Sequence, residues 1–299
     1  MKKIAHLSDL HFGRVDETLL GPLEEAVKAA RPSLVVVSGD LTQRARTQQF
    51  EEARAFLDRL PEPQIVVPGN HDVPLWDVYS RFASPLEKFR RIITDDLEPF
   101  YEDEEMVVAG VNTARSLTRK YGRVNEQQIA RLRERLCSYN DEVVKVVVTH
   151  HPFDVPDGAD EREIVGRAAL AMESLAACGA DLLLAGHMHV GHTGHTAERY
   201  KIAGHSALYV QAGTATSDRV RGGEANSFNL IRLKHPYIQV ERRAWDEAAR
   251  TFRVGPAETF MHTPEGWARL TDEVAAGVTF DEEGTGLQPA LAPGDSSKG

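Results

Sequence analysis

Five apolar runs, each ending in polar residues, punctuate the chain at residues 4–8, 34–38, 65–68, 146–149 and 182–185. Only the first is interrupted, by Ala5 and His6; the others are β-branched or Leu-rich. Short apolar runs of this kind predict strands buried on both faces. Between them the period lengthens to that of a helix. Leu20, Leu23, Ala26, Val27 and Ala30 form one stripe, broken at Pro32, and Phe50, Ala53, Phe56, Leu57 and Leu60 form another, closed by Pro61. Asn125 is placed as the N-cap of a helix carrying Ile129, Leu132 and Leu136, and residues 168–179 supply a further helix with Gly179 just past its end. Residues 107–111 read as one more strand. Such alternation predicts an α/β fold.

Two stretches break the rhythm. Residues 73–105 are aromatic, with Trp76, Tyr79, Phe82, Phe89, Phe100 and Tyr101, and have no strong period; they are expected as a helical cap insertion just after Asp72. After His189, strand-like runs at 207–212, 227–233 and 238–243 follow at short spacing and predict an antiparallel meander in a second sheet. From about residue 263 Gly, Pro, Ser and acidic residues accumulate. We therefore expect one domain over 1–260, with its cap at 73–105, and a C-terminal extension over 261–299 that is disordered beyond about 285.

Composition narrows the class. A chain of 299 residues at 41% apolar can bury a large core. A net charge of −10 argues against non-specific duplex binding, which rests on Lys and Arg neutralising phosphates. Met1-Lys2-Lys3 runs straight into the first strand without an apolar leader, and no run is long enough to span a membrane, so the cytoplasm is the default setting. Cys137 and Cys178 have no metal-ligand spacing, and two free, core-filling thiols are the expected state.

The chemistry sits where the five strands end. Asp9-Leu10-His11 follows the first, Gly39-Asp40 the second, Gly69-Asn70-His71-Asp72 the third, His150-His151-Pro152 the fourth and Gly186-His187-Met188-His189 the fifth. Each is weak alone: Gly-Asp is commonly a turn, Gly-Asn-His-Asp an Asx turn, His-His-Pro a pair of exposed imidazoles. Five in order, each closing a strand, are hard to obtain by chance. Groups at the carboxyl ends of adjacent strands meet in one crevice. Asp9, His11, Asp40, Asn70, His150, His187 and His189 are enough for two divalent metal ions sharing one carboxylate. On an extended strand, Asp9 and His11 lie on one face, as do His187 and His189, with Met188 turned the other way. Glycine before Asp40 and Asn70 lets the backbone approach closely. This nitrogen and oxygen set suits Mn²⁺, Fe, Zn²⁺ or Co²⁺. Two such ions contribute about +4 against about −2 from Asp9 and Asp40, leaving a cationic pocket in an acidic protein.

Asp-x-His, Gly-Asp, Gly-Asn-His-Asp, His-His-Pro and Gly-His-x-His in this order resemble the calcineurin-like metallophosphoesterase superfamily over roughly residues 3–233. Ser8-Asp9-Leu10-His11 and Gly39-Asp40-Leu41-Thr42 are most similar to its bacterial class III cyclic-nucleotide phosphodiesterase branch. Gln43-Arg44-Ala45 stands where the protein phosphatase branch has Asp-Arg-Gly. The resemblance implies a four-layer α/β/β/α sandwich of two mixed sheets, with a binuclear site at the strand ends. One metal would be held by Asp9, His11, Asp40 and His189, the other by Asp40, Asn70, His150 and His187, with Asp40 bridging. His150 is taken as the ligand because it directly follows the strand, with His151 beside it, and the reverse stays open. His71 would meet the phosphoryl oxygens or leaving group, and Asp72 would orient His71 or the loop.

The implied reaction is attack by a metal-bridging hydroxide on a small phosphodiester: a cyclic nucleotide, a glycerophosphodiester or an aryl phosphodiester. A nuclease on single strands or ends, and a pyrophosphatase acting on a nucleotide-linked lipid precursor, are the alternatives. A complete donor set speaks against a non-enzymatic scaffold. His151, Asn112, Arg115 and Arg221 are candidate substrate contacts, with Thr113, Asp218 and Arg219 beside them. His192 and His195 read as solvated loop, with pocket lining as the second reading, and His205, His235 and His262 as structural or surface. The oligomeric state is not legible.

Overall fold

The structure, a computed structural model, describes residues 1–202, 205–221 and 223–280. In chain order it comprises β1 (Lys2–Leu7), α1 (Glu17–Ala30), β2 (Leu34–Ser38), α2 (Thr47–Leu57), β3 (Gln64–Val67), α3 (Val78–Ala83), α4 (Glu87–Ile92), β4 (Phe100–Glu102) and β5 (Met106–Gly110). There follow α5 (Glu126–Leu136), β6 (Val144–Val148), α6 (Ala168–Ala177), β7 (Leu182–Ala185), β8 (His192–His195) and β9 (Leu208–Gln211). The chain continues through β10 (Ser227–Lys234), β11 (Tyr237–Asp246), β12 (Thr251–Thr263), β13 (Gly266–Arg269) and α7 (Asp272–Ala275).

The strands form two mixed sheets, ordered β13-β12-β11-β10-β1-β2-β3 and β4-β5-β6-β7-β9-β8. Strands β1, β2 and β3 are parallel, as are β5, β6, β7 and β9. Side chains alternate across each strand, and this splits the apolar runs between layers. Leu34 and Val36 of β2 face Val146, Val148 and Leu184 between the sheets. Val35 and Val37 pack outward against Leu23, Val27, Phe50 and Phe56 of α1 and α2. On the far side, Val107, Val147 and Leu183 pack against Leu132 and Leu136 of α5 and Met172 and Leu175 of α6. The result is the four-layer α/β/β/α sandwich. Its five motif-bearing strands are β1, β2 and β3 in one sheet and β6 and β7 in the other, so the crevice lies between two sheets.

Residues 73–105 divide among several jobs. Phe89 of α4 is fully buried and meets Phe50 edge-on, 6.3 Å between centroids. Residues 100–102 form β4, the edge strand beside β5. Trp76 and Tyr79 stand out in solvent, 75% and 82% exposed. The sheet also runs through residue 260. Strand β12 carries a register shift against β11 where Gly255 and Pro256 fall, which is how a proline is accommodated in a sheet. Beyond it β13 pairs with β12, and the buried Trp267 indole donates to Asp181 Oδ1 at 2.8 Å, tying this segment to the second sheet. The stretch beyond 285, expected to be disordered, lies outside the described residues.

The cysteine expectation is corrected. Cys137 and Cys178 are joined by a disulfide, with Cα atoms 4.4 Å apart. Each directly follows the last residue of a helix, α5 and α6, and these helices pack side by side on the second sheet. Spacing in the sequence carries no trace of that proximity.

Candidate metal centre

The site is assembled by loops that leave the strands sharply. Asp9, His11, Asp40, His187 and His189 all have left-handed backbone, with φ of 54°, 52°, 51°, 72° and 58°. The extended-strand geometry expected for Asp-x-His and His-x-His is therefore corrected: β1 ends at Leu7 and β7 at Ala185, and the donors sit in turns. Such backbone costs about 1–3 kcal/mol per non-glycine residue and persists only where surroundings over-determine it. Here they do. His11 N donates to Asp40 O at 2.9 Å and Asp9 N to Gly39 O at 3.1 Å, stitching the first two loops together. Gly39, at φ 89°, passes so close to His150 that an added Cβ would lie 2.7 Å from its Nδ1; at Gly69 one would collide with the Asp40 carboxylate.

The candidate donors converge in two groups, linked where Asp40 Oδ1 lies 3.4 Å from His150 Nε2. In the first, atoms of Asp9, His11, Asp40 and His189 all lie within 4.8 Å of one another. His189 Nε2 is 3.1 Å from Asp9 Oδ1, and His11 Nε2 is 3.8 Å from Asp40 Oδ2. In the second, His150 Nε2 is 3.4 Å from Asp40 Oδ1, 3.1 Å from Asn70 Oδ1 and 3.3 Å from His187 Nδ1. His151 is drawn into this second group by distance, but both its nitrogens are engaged, Nδ1 with Thr113 Oγ1 and Nε2 with Lys120 O, each at 2.8 Å. His150 has only Nδ1 engaged by backbone, at Ser38 O. His150 Nε2 is left facing Asp40, Asn70 and His187.

The donor set fits a cation. Asp9 and Asp40 are buried, and among the described residues no Lys or Arg pairs with either; their ion-pair partners are imidazoles. Asp9 Oδ1 is buried without a hydrogen-bond partner. His11 Nε2 and His189 Nε2 face each other at 3.0 Å, a spacing that needs a proton or a cation between them. Burial pushes the Asp9 and Asp40 carboxyls up, but the surrounding histidines outweigh it and hold both well below the usual carboxylate range. Burial likewise lowers His150, but Asp40 outweighs it and lifts that imidazole to about 9. Two carboxylates are thus charged in a desolvated site, a condition that calls for compensating positive charge.

The remaining candidates separate. His71 N donates to Asp40 Oδ1 at 2.8 Å; its ring Nδ1 meets Gln43 O at 3.0 Å and its Nε2 meets Arg219 Nη1 at 3.2 Å. Among the described residues no hydrogen bond joins Asp72 to that ring. Its carboxylate accepts from Gly69 N, Leu41 N, Thr42 N and Thr42 Oγ1, clamping the second and third loops together. Burial first, and Asp40 second, push it up to about 7. A pocket of about 280 Å³ opens over the donors, lined by Asp40, Asn70, His71, Arg119, Lys120, His187, His189, Arg219 and Arg221. Arg221 lies on its wall, whereas no residue of 73–105 lines it. Asn112 and Arg115 line a different cavity of about 850 Å³, with Leu86, Arg91 and Leu97 among its walls. Arg115 is held there by the carbonyls of Asn112 and Ala114 and by Gln128 Oε1.

Glu163 was not anticipated. It is buried, accepts from His187 Nε2 at 2.8 Å and pairs with Lys120, so it orients a donor imidazole from behind. It lies in the charged stretch Asp160-Glu161-Arg162-Glu163, 24 residues before His187, and reads as solvated loop until the fold brings the two together.

With fold and site described, the family follows. The family model for calcineurin-like phosphoesterase matches residues 2–191, and the chain belongs to that family. Among curated proteins it is 35% identical over 80 residues to glycerophosphodiester phosphodiesterase GpdQ of Enterobacter lignolyticus, covering 23% of this chain and 29% of that one. It is 25% identical over 145 residues to a probable glycerophosphodiester phosphodiesterase GpdQ of Arcobacter nitrofigilis, covering 47% and 50%. These matches therefore span half or less of each relative. Among solved structures, a dimetal phosphatase from Danio rerio aligns with TM-score 0.62 at 15% identity, covering 88% of this chain and 99% of that one. Purple acid phosphatase PPD1 from Lupinus luteus aligns with TM-score 0.63 at 11% identity, covering 86% and 53%. At such identities the likeness is one of fold.

Proposed function

We propose that this protein is a binuclear metal-dependent phosphodiesterase acting on a small phosphodiester. The observation that carries the reading is the Asp9, His11, Asp40 and His189 group, linked to His150 and His187 where Asp40 Oδ1 lies 3.4 Å from His150 Nε2, beneath a pocket of about 280 Å³. Asp9, His11, Asp40 and His189 would hold one ion, and Asp40, Asn70, His150 and His187 the second. Two divalent ions, of Mn, Fe, Zn or Co by the donor chemistry, would supply Lewis acidity at the phosphoryl oxygens and a water acidified toward hydroxide.

The chain's own residues do the rest. Asp40 brings the two sites into register, and the backbone N–H of His71 fixes its carboxylate. His71 Nε2 accepts from Arg219 Nη1 at 3.2 Å at the pocket's edge; on releasing that bond and taking up a proton it would donate to the leaving oxygen. Asn70 and His71 share one loop, so metal binding and leaving-group contact are positioned together. A glycerophosphodiester is supported as a substrate by the GpdQ relatives, with cyclic nucleotides and aryl diesters as neighbouring choices.

No helix among the described residues is long and apolar enough to cross a membrane. A cytoplasmic setting fits less well with the Cys137–Cys178 disulfide, which is of a kind that persists in oxidising compartments.

Purified protein loaded with Mn²⁺ should hydrolyse bis-aryl phosphate and glycerophosphodiesters faster than a mono-aryl phosphate or single-stranded DNA. Asp40→Ala should abolish turnover and release metal. Two tightly held ions per chain in that variant would refute the assignment.

A further inference from the structure

Four basic residues border the pocket, and two of them have work inside the protein. Lys120 pairs with Glu163, and Arg219 hydrogen-bonds His71 Nε2 and Gln43 Oε1. Arg119 and Arg221 differ. Both line the pocket, and among the described residues neither guanidinium has a hydrogen-bonding or ion-pair partner. They reach the pocket from separate loops, one following α3 and β5, the other preceding β10. In a chain of net charge −10, two arginines left unpaired on the rim of one small polar cavity are surplus to what the fold requires.

A singly charged diester does not use them. Asp9 and Asp40 take up about two of the about four charges of a divalent pair, and a hydroxide and a monoanionic diester account for the remainder. Arg119 and Arg221 would then face no anion. Guanidinium groups bind phosphate oxygens through paired donors in a fixed fork, which makes them suited to a second phosphate group. We infer that the substrate carries a second phosphate beside the one cleaved, and that Arg119 and Arg221 form the subsite for it. This rests on the phosphodiesterase reading and deepens it.

The matched probes are the p-nitrophenyl ester of thymidine 5′-phosphate, with and without a 3′-phosphate. With the Mn²⁺-loaded full-length protein, the 3′-phosphorylated ester should show a kcat/KM at least about tenfold higher, carried mainly by KM, since a charge-assisted pair contributes about 1.5–3 kcal/mol. Arg119→Ala and Arg221→Ala should each shrink that ratio, and the double variant should bring it to about one, with metal content unchanged. Calorimetry on the metal-free protein gives a readout independent of turnover: thymidine 3′,5′-bisphosphate should bind more tightly than thymidine 5′-phosphate, and the double variant should lose the difference. Equal use of both esters by the parent protein overturns the inference, as does a preference that survives in the double variant. Loss of metal from either variant also overturns it, by showing that the arginines serve the donor carboxylates instead. Failure to hydrolyse either ester or bis-aryl phosphate counts against the phosphodiesterase reading itself, while the calorimetric comparison still judges the subsite.

Discussion

His71 is fixed from three directions: its N–H by Asp40, Nδ1 by Gln43 O and Nε2 by Arg219. None of these contacts makes it a metal donor, so His71→Ala should leave metal content unchanged. It should lower kcat by about 10²-fold or more, the range of a positioned acid, and by less for a nitrophenolate leaving group that needs little protonation. Metal analysis alongside kinetics checks both halves. Glu163 acts one layer further out, through His187. Removing its charge in Glu163→Gln should weaken metal affinity by about 10–100-fold while sparing kcat at saturating metal, which separates orientation from chemistry. A metal titration of activity reads this directly. The convergence of the candidate donors was legible because five motifs occur in order; Glu163 was not, because an acidic residue in a charged loop looks the same whether it faces solvent or an imidazole. Asn112 and Arg115 show the converse error: proximity to a strand end placed them near the pocket, but the loop after β5 turns their side chains toward another cavity.

At the scale of elements, the helices and strands of the first two-thirds were readable because burial on both faces leaves unmistakable apolar runs. The strand β12 was not, since most of its residues are exposed or half-buried and it contains Pro256. The disulfide between the ends of α5 and α6 was equally hidden. Closing a loop across a sequence separation of 41 residues should contribute about 4 kcal/mol by the chain-entropy relation. The double variant Cys137→Ala/Cys178→Ala should accordingly unfold at lower denaturant with its metal-dependent activity intact at low temperature, because the bond lies on the outer face of the second sheet. Thiol titration of unreduced protein should find neither cysteine reactive, and two reactive thiols would refute the bond.

At the scale of the whole molecule, an acidic surface encloses a locally basic pocket. Small anions are drawn in, while a long polyanion meets repulsion outside it. The kcat/KM for a small diester should therefore fall only mildly across a salt series. Steep, orders-of-magnitude salt dependence on single-stranded DNA, with negligible turnover of the small diester, would instead support a nuclease. Chelation should have a global effect too: without compensating cations the site holds charged, buried carboxylates against histidines and the nearby Arg219, and the melting temperature should drop and recover on adding Mn²⁺.

Apolar periodicity carried the alternation of strands and helices, and the ordered motifs carried the residues of the polar centre and, through the family resemblance, the layer architecture, because burial and ligand chemistry restrict residue type locally; the split of the five motif-bearing strands between two sheets was not legible. Side-chain direction within the site was decided only by tertiary structure. Left-handed backbone at Asp9, His11, Asp40, His187 and His189, the engagement of both His151 nitrogens, Asp72 as a clamp on two loops, and the arrival of Arg119 and Arg221 at one pocket all arise from contacts between segments far apart in the chain. Sequence spacing holds no record of such contacts, since each residue type involved is equally at home on a surface loop.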